Sequence, residues 1–191
     1  MRHIDWDFRI STELLELDLK KGLKPTLSVY VQAGKLSIIC PPHLDFTSKR
    51  IQAFMHAYLA NSILRTKAQL YLPAQLHALA TLHGFTYHTI TIKRVHTIWG
   101  SCSSLHNINL SLYLILLPSH LVDYVLLHEL CHTRHLNHSA DFWNLLNTLT
   151  SGKALALRNE LHTYLATRSP YDKQNGGLIR RRKGMEDEVI L

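Results

Sequence analysis

At 191 residues, 46% hydrophobic and 18% charged, the chain suits one soluble globular domain with a real core. No apolar run approaches the ~18 residues of a membrane span, and Asp5 and Asp7 stand where a secretory leader needs an apolar stretch, so the expected compartment is the cytoplasm. The net charge of +7 is uneven: residues 46–122 hold Lys49, Arg50, Arg65, Lys67, Lys93 and Arg94 with no Asp or Glu, which favours an anionic partner or nucleic-acid proximity.

The first twenty or so residues mix charges with Leu14, Leu15, Leu17 and Leu19 without a period, and offer a strand or a short helix. Residues 26–31 and 36–40 then alternate β-formers around the turn Gln32-Ala33-Gly34-Lys35, so residues 1–45 read as a β-hairpin region with one apolar face. The three cysteines, Cys40, Cys102 and Cys131, lack C-x-x-C spacing and read as buried thiols rather than a disulfide framework.

Thr47 or Ser48 caps a helix whose Ile51, Phe54, Met55, Tyr58, Leu59 and Ile63 recur at spacings of three and four. The pattern runs on past Pro73 to a stop at Gly84, and one kinked helix or two consecutive helices fit it equally. From Phe85 the period becomes two, giving a strand to Val95. The element Trp99-Gly100-Ser101-Cys102 and a further strand over residues 108–112 follow, with Asn109 and Ser111 leaving one face polar.

Pro118-Ser119 opens a helix that Leu121, Val122, Val125, Leu126 and Leu130 fix against the sheet. It carries H-E-x-x-H as His128, Glu129 and His132. Positions i and i+4 lie one helical turn apart on one face, so both imidazoles can converge on an ion, while Glu129 is turned away and reaches a metal-bound water instead. Cys131 is off the ligand direction and reads as packing. The third ligand is either His135, on the same helix, or His138, ten residues after His128 and geometrically easier if the chain turns back at Leu136-Asn137 into a helix capped by Ser139. Two imidazoles plus one ligand leave the fourth tetrahedral position of zinc open to water, which is the catalytic pattern. Phe142, Trp143, Leu145, Leu146 and Leu149 bury the next helix, residues 153–167 form a last one, and residues 169–191 read as a disordered charged tail.

The set Trp99-Gly100-Ser101-Cys102-Ser103, Ile108-Asn109-Leu110, His128-Glu129-Leu130-Cys131-His132 and Asn137-His138-Ser139 resembles the YgjP-like metallopeptidase family, related in pattern to SprT-like proteins. The resemblance implies an α+β fold with a minimal, gluzincin-like zincin core: the N-terminal β-hairpin, a small antiparallel sheet and the H-E-x-x-H helix. It implies one domain over 1–168, the core being 46–168. It also implies one Zn2+, or another divalent metal, on His128, His132 and His138, with Glu129 as catalytic base. The expected function is a zinc-dependent hydrolase, foremost a metallopeptidase acting on peptide or protein. The acid-free segment keeps two other expectations in view: a metal-dependent hydrolase of phosphoanhydrides such as nucleotides, and a nucleic-acid-associated module whose metal is structural.

Overall fold

The computed structural model describes residues 3–168; the expected tail over 169–191 lies outside the described residues. Among the described residues seven strands fall into two sheets. In the first, β1 (Arg9–Ser11), β2 (Glu16–Lys21), β3 (Ser28–Gln32) and β4 (Lys35–Cys40) lie in the order β1-β2-β4-β3. The ambiguous opening of the chain is thus two strands. The β3/β4 hairpin forms at the expected turn, with Ala33 at φ 51° and Gly34 at φ 81°. Two successive positive φ values make the tight two-residue turn that follows the right-handed twist of a hairpin. The expected apolar face is only half realised, because every residue of β3 is exposed. β3 is an edge strand, and the core lies under β2 and β4, where Leu17, Leu19 and Ile38 are buried.

A long helical path follows: α1 (Lys49–Tyr58), a π-helical turn (Leu59–Leu64) and α2 (Arg65–His83). Of the two sequence options the chain takes the uninterrupted one at Pro73, which sits inside α2 beside fully buried Leu72. Ser48 occupies the N-cap of α1 without a side-chain bond to the helix. Gly84 ends α2 in the left-handed conformation, φ 66°, and the Phe85 amide donates to the Ala80 carbonyl at 2.8 Å.

The second sheet, β5 (Thr89–Lys93), β6 (Gly100–Cys102) and β7 (Asn107–Ser111), has the order β5-β7-β6. It corrects the expected antiparallel sheet, for β5 runs parallel to β7 and only β6 is antiparallel to it. The cause is the β5–β6 connection. Ser111 Oγ donates to the Val95 carbonyl at 2.7 Å and the Ser111 amide to the Trp99 carbonyl at 2.8 Å, so this loop crosses the end of β7 and delivers β6 on its far side.

A 3₁₀ turn (Leu112–Leu116) leads into α3 (Ser119–Cys131), followed by α4 (Ala140–Leu149) and α5 (Ala154–Arg168). Leu121, Val122, Val125, Leu126 and Leu130 are all 0% exposed, in one hydrophobic cluster that also takes in Leu17 and Ile38 of the first sheet. At about 1.5–3 kcal/mol for each such side chain, this burial holds α3 firmly in the core. No described helix is long and apolar enough to cross a membrane.

Candidate metal centre

α3 stays helical to the end of the motif: His132 keeps φ −66° and ψ −16°, and its amide donates to the His128 carbonyl at 3.2 Å. The helix then tightens, the Thr133 and Arg134 amides each donating at 3.0 Å to the carbonyls three residues back, Leu130 and Cys131. This removes His135 from the ligand face. Ser139 caps α4, its hydroxyl accepting from the Phe142 amide at 3.5 Å, and the turn between the two helices swings His138 back.

Three imidazoles therefore meet. His128 Nε2 lies 3.1 Å from His132 Nε2 and 3.0 Å from His138 Nε2, and the three ligand atoms lie within 4.8 Å of one another. Phe142 forms a common wall, its ring centroid 4.8, 4.6 and 4.7 Å from those of His128, His132 and His138. Among the described residues no other group of three or more His, Cys, Asp or Glu side chains is so placed.

The donor set fits a small cation. His132 Nδ1 lies 3.0 Å from the His135 carbonyl, which can only accept, so Nδ1 carries the proton and Nε2 keeps its lone pair. Burial holds His128 well below the usual histidine range, with the neighbouring His132 and His138 adding to it; burial also lowers His132, opposed by its bond to His135. Neutral imidazoles are what a metal requires. Three converging lone pairs repel unless a cation lies between them, and tetrahedral zinc with Zn–N near 2.0–2.1 Å would set its ligand nitrogens about 3.3 Å apart.

Glu129 points away from this cluster, under β6. Its residue is 1% exposed and its Oε2 is buried without a hydrogen-bond partner. Burial pushes its pKa well above the usual carboxylate range. Gly100 makes this position available, because a Cβ there would lie 2.5 Å from Glu129 Oε1 and 2.7 Å from its Cδ. The requirement is invisible in the chain until β6 is laid over α3. Cys102 on the same strand is pushed up to about 11, by burial first and by Glu129 second. Cys131 is fully buried, as packing demands. Arg158 on α5 was not singled out by any motif: its guanidinium sits 5.3 Å from the Trp143 ring, and Trp143 in turn packs at 5.9 Å from His138.

A family model described as "YgjP-like, metallopeptidase domain" matches residues 46–164, which contain all three histidines, Glu129 and Gly100. Among solved structures, the metallopeptidase zymogen of Pyrococcus abyssi abylysin is similar at 21% identity and a TM-score of 0.45, covering 50% of this chain and 95% of that one. No curated protein matches the chain.

Proposed function

From the premise that the chain belongs to the YgjP-like family, whose domain is that of a metallopeptidase, we propose that it is a zinc peptidase. His128, His132 and His138 would hold the ion and Glu129 would be the general base. The observation that carries this reading is the meeting of three Nε2 atoms at the end of the helix that also buries Glu129, the residue next to His128. Zinc, when bound there, supplies a Lewis acid and a water of lowered pKa.

The remaining work falls to side chains and backbone of this chain. Glu129 accepts a proton at its carboxylate and returns it to the departing amine, and burial, by raising its pKa, makes it a stronger proton acceptor. Gly100 keeps the carboxylate in place by offering no side chain to displace it. Among the described residues β6 pairs with β7 alone, so its other edge can receive an extended peptide by backbone hydrogen bonds. A structural metal is the weaker reading, since no fourth His, Cys, Asp or Glu joins the three among the described residues.

The test combines metal analysis with cleavage of an unfolded protein substrate by wild type and Glu129→Gln. Both should carry about one zinc per chain, and cleavage should fall by roughly 10²–10⁴-fold in the variant, the range removed with a general base. Metal-loaded wild type that cleaves nothing, or a variant that cleaves equally well, would refute the proposal.

A further inference from the structure

Of the three imidazoles at the metal centre, two are fixed by the backbone of α3 and one is not. His128 is 2% exposed, and the His132 amide still bonds to the His128 carbonyl at 3.2 Å. His138 instead leaves the turn between α3 and α4, two residues after Leu136, which is 61% exposed. An imidazole on an irregular segment keeps one orientation only if neighbouring side chains confine it.

Two consecutive rings of α4 do so. Phe142 meets His138 nearly edge-on, with centroids 4.7 Å apart and planes at 81°, while Trp143 lies 5.9 Å away and more nearly parallel, at 30°. The two rings stand 5.5 Å apart at 86° to each other and form a corner around the imidazole. One side of that corner is secured by the core, since Phe142 is 0% exposed. Trp143 is only half-buried and needs another support. The Arg158 guanidinium lies over its ring, 5.3 Å from the centroid, inside the ~6 Å of a cation–π contact, for which tryptophan is the best partner. α5 gives this arginine a fixed base, because Ala154 and Leu161, on either side of it, are 0% and 1% exposed.

We propose that Arg158 is a positioning residue for the third metal ligand: held over Trp143, its guanidinium fixes the indole against which the His138 imidazole lies. This rests on the reading of His128, His132 and His138 as the ligands, and it extends the centre from α3 and α4 to α5. A ring free to turn must give up that freedom when it binds an ion, so loosening the indole weakens the metal without removing a ligand.

The test is the zinc affinity of the full chain, measured by competition with a chromophoric chelator, with the melting temperature of the metal-free protein recorded beside it. Arg158→Met removes the charge and keeps an apolar stem; it should weaken zinc about 3–10-fold, the equivalent of a half-buried cation–π contact. Trp143→Leu should weaken it roughly 10–100-fold, the range for a lost supporting partner of a ligand. Arg158→Lys keeps a cation for the ring and should stay within about twofold of the wild type. In the Trp143→Leu background Arg158→Met should do nothing further, because the arginine acts through the indole. If Trp143→Leu does not fold, the Met and Lys variants decide. Unchanged affinity in Arg158→Met, whatever its metal-free melting temperature, would make Arg158 a packing residue and overturn the proposal. Losses that add in the double variant would do the same, as would an affinity that rises through release of charge repulsion. His138→Ala separates the premise from the proposal: if it binds zinc as tightly as the wild type, the ligand assignment fails, whereas a large loss there with none in Arg158→Met refutes the role of Arg158 alone.

Discussion

The metal end of the molecule and its N-terminal sheet bury polar groups on opposite terms. In the sheet, Asp18 is 5% exposed and its Oδ1 is buried without a hydrogen-bond partner, but its Oδ2 meets Lys35 Nζ at 2.9 Å, so the buried charge carries its own counter-charge. In α3, His128 and Glu129 are 2% and 1% exposed, with His128 Nδ1 and Glu129 Oε2 unpartnered. An unsatisfied buried polar group costs about 1–3 kcal/mol. The leucines and valines around α3 hold these groups in place regardless, and on the proposed reading a cation would take up the three converging Nε2 atoms. On the proposed reading one region is polar for stability and the other for a ligand, and each substitution below tests that division.

The largest effect belongs to the third ligand. His138→Ala should lower zinc affinity by more than the ~100-fold typical of losing a mere supporting contact, and abolish cleavage, whereas His135→Ala should retain about one zinc per chain. Equilibrium dialysis of the two variants is decisive: if His135→Ala loses the metal and His138→Ala keeps it, the assignment is wrong. Chelation of the wild type should lower its melting temperature, because a metal present at 100 times its Kd adds about 2.7 kcal/mol to the folded state. The same chelator should leave the melting temperature of His138→Ala unchanged.

Gly100→Ala comes next. Its Cβ would meet the Glu129 carboxylate, and overpacking of this kind costs about 1–3 kcal/mol. Since the displaced group is the proposed base and not a ligand, kcat should fall while zinc content stays near one per chain. A variant with normal kcat would mean that Glu129 is free to move, which its burial argues against.

The sheet should respond to pH instead. Burial raises the Asp18 pKa, but the Ser37 hydrogen bond and the Lys35 ammonium outweigh it, so the carboxyl sits below its ordinary range. A depressed carboxyl pKa stabilises the fold at pH values above the unfolded pKa near 3.9 and loses that contribution as pH falls through the folded value. Asp18→Asn should therefore cost about 1 kcal/mol near neutrality, a modest amount because Lys35 is 44% exposed, and should flatten the acid limb of the stability curve. Urea unfolding at a series of pH values separates this from a loss that is the same at every pH, which would point to packing.

The site was far more legible than the sheet around it. His128 and His132 follow from helical spacing, and His138 from a local turn and the Ser139 cap, all within a dozen residues of chain. Gly100 against Glu129 and Phe142 against three imidazoles were not legible, because neither contact exists until separate elements pack. The strand periods showed where β5, β6 and β7 lie, but not that β5 pairs parallel to β7, which depends on Ser111 pinning a loop sixteen residues upstream. The hairpin alternation likewise said that Val29 and Val31 share a face and nothing about whether anything covers it.

That uncovered face supplies the smallest expected effect. Val31, on that face, is 62% exposed and Tyr30, on the opposite face, 54%, on a strand that among the described residues pairs along one edge only. Because both residues stay more than half exposed on folding, Val31→Thr and Tyr30→Ser should each change stability by no more than about 0.5 kcal/mol, the range of exposed positions. β-propensity favours the same outcome for threonine, which keeps the branched side chain an edge strand prefers. Zinc content and cleavage should be untouched, since residues 46–164 carry every group assigned to the site. Should either substitution lower the melting temperature as much as Gly100→Ala, β3 would have to be packed against something in solution, and the N-terminal sheet would no longer be the self-sufficient half of the comparison.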